Sequence, residues 1–207
     1  MLGPRDVAGA GVLKKLDLVT TSSAGLLGID HMANKAVQGR AVMVDLHAHF
    51  GNARALIGFD ALMAVLKKDP VVIESGNIVC FHTGFAEVLL QMKRQPDAAV
   101  LHHSGAVLAC RDGRLLKWIT DSEISAIAAD NYAVEAYPAS PGAVCCAALP
   151  LHEHCLFKFG VYLGELWRLM PVATHLRAAG RSRVLLTAPP LRLPGAVASP
   201  VTPLGTV

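Results

Sequence analysis

The sequence predicts an α/β fold built on a buried sheet, and three observations predict it. Short runs rich in apolar and β-branched residues (RAVMVDL, NIVCFH, VLLT) alternate with segments whose apolar residues recur at helical spacing. The runs are apolar on both faces rather than alternating, as in strands covered on both sides. Hydrophobic residues make up 53% of the 207 and charged residues 17%, which is ample for a packed core and excludes a disordered chain.

Residues 1 to 27 are weakly patterned, with one short strand or helix turn at Leu13 to Leu18. Gly28 to Val37 reads as a helix with Asp30 in its first turn, closing near Gly39. Arg40 to Leu46 is a buried strand. Gly58 to Lys68 has helical spacing and stops before Pro70. Asn77 to His82 is a second buried strand between Gly76 and Gly84, and Ala86 to Lys93 is helical. Arg114 to Ile119 begins a short helix, and Ile124 to Ala129 is a third strand leading into Asp130. Leu151 to Phe159 is a helix ended by Gly160, and Val184 to Thr187 is a last strand before a Pro-rich tail. No repeat or low-complexity linker interrupts the chain, so residues 28 to 207 are expected to form one domain.

Composition narrows the partners. The net charge is +3, the lysines cluster no further than pairs (Lys14 with Lys15, Lys67 with Lys68), and aromatics are 5%. Nucleic-acid binding needs clustered basic residues with interleaved aromatics, so that partner is set aside. Mean hydropathy is +0.42. No uncharged apolar run reaches membrane-spanning length, since Pro138, Pro141 and Pro150 interrupt Ala136 to Leu151. The hydropathy therefore points to a buried sheet plus a homo-oligomer interface, with no membrane partner. The first residues lack the order of a signal peptide. Five cysteines without framework spacing indicate a reducing, cytoplasmic compartment, with Cys145 and Cys146 read as buried thiols.

The residues that carry chemistry cluster late in the chain. His152 lies in Leu-His-Glu-His and Glu165 follows Gly160-Val161-Tyr162-Leu163-Gly164. On one continuous helix, thirteen residues make about 3.6 turns and put the two on nearly opposite sides. Gly160 and Gly164 break that helix and let the chain bring Glu165 back toward His152. An imidazole and a carboxylate suit zinc or manganese. The competing reading is a surface helix with two solvated histidines and a Glu165–Arg168 pair.

The segment PLHEHCLFKFGVYLGELWRL resembles the metal-dependent cyclase family pattern "Pro-x-His-Glu-x-x-Leu … Gly-x-x-x-Gly-Glu-x-x-x-Leu". GRAVMVDL, NIVCFHTGF and WITDSEISAIAADNYAVEAYP resemble further family strands, the last bringing Asp130 and Asn131 ahead of Glu135. The tail APPLRLPGAVASPVTPLGTV is similar to the closing segment that lines the family's cavity. The family includes kynurenine formamidase and isatin hydrolase. The resemblance runs from about Gly28 to the end and implies a cyclase-type swivelling β/β/α fold in a single domain. It implies metal-dependent hydrolysis of a C–N bond in a small-molecule amide, lactam or formamide. His152 and Glu165 would be metal ligands, and Asp130, Pro189, Pro190, Pro194, Gly195, Ser199 and Pro200 would shape the substrate cavity. The family's "His-x-Gly-Thr-His-x-Asp" segment, which supplies the first ligands and the catalytic histidine, has no counterpart in this sequence. The chain is therefore expected to be an N-terminally truncated member, with its zinc or manganese weakly held. Two readings stand: an active hydrolase, or a catalytically dead relative with a structural or oligomer-forming role.

A second alternative uses Asp45-Leu46-His47-Ala48-His49. If the strand continued, Asp45, His47 and His49 would share a face. His-x-His at a strand end resembles the first metal motif of amidohydrolase and PHP-type barrels, with later ligands from His82, His102, His103 or His175. The eight strand–helix repeats of such a barrel are not evident. Taken singly, His82 reads as a hydrogen-bonded core histidine and His102 and His103 as solvated.

Overall fold

A computed structural model describes residues 24–139 and 146–207. The expected element at Leu13 to Leu18, and Cys145, lie outside them. The chain is mixed α/β, as expected. The described residues fall into two compact units, one running to Gly39 and resuming at Leu185–Thr206, the other comprising Arg40–Val184.

The strands are β1 (Gln38–Asp45), β2 (Ala55–Ile57), β3 (Ile78–His82), β4 (Ala106–Leu108), β5 (Ala126–Ala129), β6 (Tyr162–Gly164), β7 (Arg183–Thr187) and β8 (Leu204–Thr206). In the larger unit the order β6-β5-β3-β1 forms the central sheet, with every pairing parallel. The pairing follows from composition. All of β3 and β5 is buried, so both faces need apolar side chains, and both strands supply them. Val42, Val44, Val79, Phe81 and Ile127 of these strands share one core with Leu62 and Val65 of helix Phe59–Lys68 and Leu115 and Ile119 of helix Gly113–Asp121. Each such fully buried aliphatic side chain contributes about 1.5–3 kcal/mol. A separate parallel pair, β2 with β4, sits in the same unit.

In the smaller unit helix Ile29–Lys35 begins with Ile29 N donating to Ala196 O at 2.8 Å. Leu185–Thr187 of β7 runs antiparallel to β8. Pro190 bridges to Val201, and Leu191 N donates to Ser199 Oγ at 3.0 Å.

Several expectations change. β1 stops at Asp45 and Leu46–Phe50 is helical, because the Asp45 carboxylate caps that turn by accepting from Ala48 N at 3.1 Å. His47 and His49 therefore do not share a strand face. The helix expected over Leu151 to Phe159 is an α-turn, Pro150–His152, followed by a π-helical stretch, Glu153–Phe159, which Gly160 ends at φ 68°. Cys146 is exposed rather than buried. β2, β4, β6, β8 and helices Ala98–His102 and Met170–Ala178 were not expected. All are short or have weak periodicity, and pairing rather than composition defines them. Among the described residues no helix is long and apolar enough to cross a membrane.

Candidate active site

Parallel strands end at one edge of their sheet, and that edge carries three acids and a histidine. Asp45 closes β1, His82 closes β3, Asp130 follows β5 and Glu165 follows β6. In open parallel sheets ligand sites lie off the carboxyl ends of the strands.

His152 and Glu165 do meet. His152 Nε2 lies 2.9 Å from Glu165 Oε1. The β6 excursion between Gly160 and Glu165 produces the return, and Trp167 lies against Gly164 where a Cβ would stand 2.7 Å from the indole. The other ring nitrogen, Nδ1, is 2.7 Å from Glu135 Oε1. Glu135 is 1% exposed. Its carboxylate also accepts from Leu151 N at 2.9 Å and His152 N at 3.0 Å. β4 sets its position, because Leu108 N donates to Val134 O and Ala136 N donates to Leu108 O. Glu135 thus caps the turn that carries His152 and fixes its ring. Burial works against a charge on His152, but Glu135 and then Glu165 outweigh it and raise its pKa to about 9. Cys155 nearby is pushed up to about 12 by burial, so its thiol stays neutral.

His154, two residues on, points elsewhere. Its Nε2 lies 2.9 Å from Thr120 Oγ1 and its ring packs on Phe159. Arg168 pairs with Glu87 at 2.8 Å, so the Glu165–Arg168 pair of the surface-helix reading does not form.

Asp130 is 1% exposed and fully engaged. It accepts from Thr83 N at 2.7 Å, Thr83 Oγ1 at 2.6 Å and Gly84 N at 2.8 Å. It ties the end of β5 to the turn after β3. Asn131 is also structural, donating to Ala106 O and accepting from Val134 N. Pro189, Pro190, Pro194, Gly195, Ser199 and Pro200 all lie in the smaller unit, where Ser199 holds Leu191.

A second group was only half legible. Asp45, His47 and His82 each bring one donor atom within 4.8 Å of the others. The β1–β3 register sets Asp45 beside His82, and Asp45 Oδ1 lies 2.8 Å from His82 Nδ1. Arg177 pairs with the other Asp45 oxygen. Burial lowers the His82 pKa, against the pull of Asp130 and Glu87. His49, the expected companion of His47, instead pairs with Asp69 at 2.8 Å. His103 Nδ1 bonds Ala99 O, and His175 is exposed on its helix. The missing signal was long-range: only strand register brings His82 to Asp45.

Residues 16–136 match the family model described as "Putative cyclase". That span begins ahead of Gly28 and stops before His152 and Glu165. No match is found among curated proteins. A crystal structure described as a novel cyclase superposes with a TM-score of 0.75 at 29% identity, over 90% of this chain and 59% of that one. Isatin hydrolase A from Ralstonia solanacearum gives 0.63 at 20% identity, over 86% and 63% respectively. A potential metal-dependent hydrolase with cyclase activity gives 0.54 at 20% identity, over 98% and 74%. The last two likenesses are of fold. This chain spans 59% and 63% of the length of the first two structures.

Proposed function

This chain belongs to the Cyclase family, and from that premise we propose that it is a metal-dependent hydrolase of a C–N bond in a small amide, lactam or formamide. His152 and Glu165 hold a divalent metal, zinc or manganese, in this reading. One observation carries it: the aligned group Glu135–His152–Glu165. Metal-binding histidines characteristically give their second ring N–H to a carboxylate, which fixes tautomer and ring orientation. Glu135 does this for His152 and leaves Nε2 facing Glu165. The 2.9 Å separation of Nε2 and Glu165 Oε1 suits two ligands on one ion with bonds of about 2.0–2.2 Å.

A bound divalent metal supplies Lewis acidity, polarising a carbonyl and lowering the pKa of water. The chain's own part is to present one imidazole and one carboxylate at fixed spacing, with Glu135 buried behind them. Two protein ligands hold such an ion weakly, since catalytic zinc sites usually have three.

Metal analysis of the purified chain tests the reading, alongside His152→Ala and Glu165→Ala. Each variant is expected to lose bound zinc or manganese, and unchanged metal content in both would sink the assignment. Hydrolysis of isatin and N-formylkynurenine with added metal reports activity. Turnover removes the reading of a catalytically dead relative.

A further inference from the structure

We propose that Asp45, His47 and His82 form a second divalent-cation site, of zinc-like preference, sharing no residue with His152 and Glu165. Two imidazoles and one carboxylate are a donor set that selects zinc and its first-row neighbours over calcium or magnesium. One donor atom from each lies within 4.8 Å of the others. Asp45 Oδ1 lies 2.8 Å from His82 Nδ1, a bond that fixes the imidazole and leaves its Nε2 as the nitrogen a cation would take.

His82 gives the independent reason to expect a ligand. It is 2% exposed, and its Nε2 is the one buried side-chain nitrogen or oxygen among the described residues with no hydrogen-bond partner. Leaving a buried polar atom unpaired costs about 1–3 kcal/mol. A hydrogen-bond network closed on itself would not leave that atom over.

The local fold holds the group ready. Strand register sets Asp45 against His82. The capped turn after Asp45 carries His47, whose Nε2 lies 2.8 Å from Asn52 Oδ1. The two imidazoles face each other with ring centroids 5.3 Å apart. The His47 ring reaches this position only because residue 84 is glycine: a Cβ there would stand 2.4 Å from His47 Cδ2, and φ is +79°. Asp45 also lines a cavity of about 360 Å³ with Arg177 and Asp69, so its carboxylate is reached from that side. Arg177, which pairs with Asp45, is 55% exposed and so can yield to a cation.

Crystals of the full chain soaked in zinc chloride, with anomalous data at the zinc edge, test the proposal. A peak among Asp45, His47 and His82 is expected. A peak only at His152 and Glu165 overturns this site and leaves the first reading standing. A peak only here supports this site and overturns the first. In solution, the His152→Ala/Glu165→Ala double variant is expected to keep one cobalt equivalent with visible d–d bands. Adding His47→Gln, on a partly exposed residue, is expected to weaken that binding at least tenfold, and unchanged affinity would overturn the proposal. Arg177→Ala removes the competing cation and is expected to tighten binding about tenfold. Binding that weakens instead would also count against the site.

Discussion

Glu135 shows how much one buried carboxylate can decide. It accepts two backbone N–H groups and pairs with one imidazole nitrogen, that of His152. Glu135→Gln keeps the size but loses the charge that steadies His152, so metal affinity is expected to fall 10–100-fold in a metal titration. Glu135→Ala leaves the donors of Leu151 and His152 unpaired in a buried place, and denaturant unfolding is expected to show a loss of about 3 kcal/mol. The cysteines differ just as sharply. Burial pushes Cys80 and Cys155 up to about 12 and Cys110 to about 11, while Cys146 is exposed. Iodoacetamide at pH 8 followed by peptide mass spectrometry should find label on Cys146 and none on those three in the folded chain. Label on Cys80 under native conditions would contradict the packing of β3.

At the level of elements, short side-chain caps do work that long periodic segments do elsewhere. Asp112 accepts from Arg114 N and Leu115 N at the start of its own helix and from Phe59 N at the start of another. Those bonds, that of Phe59 first, hold its carboxyl below the usual aspartate range. The stability it adds is thus fully present above the ordinary aspartate pKa of about 3.9 and is lost as pH falls through the lower folded value. Urea midpoints measured from pH 6 down to pH 2 should fall less steeply for Asp112→Asn than for the parent chain. Asp130 performs the same service between β5 and the Thr83–Gly84 turn. Its three bonds are buried, so Asp130→Ala is expected to destabilise by about 3 kcal/mol, read from the same unfolding curves.

At the scale of the whole molecule, the smaller unit exposes large apolar side chains, with Leu26 at 92% and Leu204 at 61%. Apolar exposure of this kind favours self-association. Light scattering behind size exclusion is expected to give a homo-oligomer, and a monomer at all concentrations would remove that expectation. The sequence by itself determined the α/β class and the three central strands β1, β3 and β5, because a strand covered on both faces must be apolar on both faces. It also marked His152 and Glu165, through the glycines that turn the chain between them. It could not mark the short pairs β2–β4 and β7–β8, whose few residues acquire strand character only from a partner. The tertiary structure alone decided what each acid holds. Glu135 and Asp130 stand close together in sequence, yet one reaches His152 through the position that β4 gives it while the other is taken up by Thr83 and Gly84. The same holds for His47. Its neighbour in sequence, His49, turns away to Asp69, and strand register places His82 at its side from 35 residues further along. Contacts set by register and by caps across a sheet have no local periodicity, so no local pattern in the chain could have announced them.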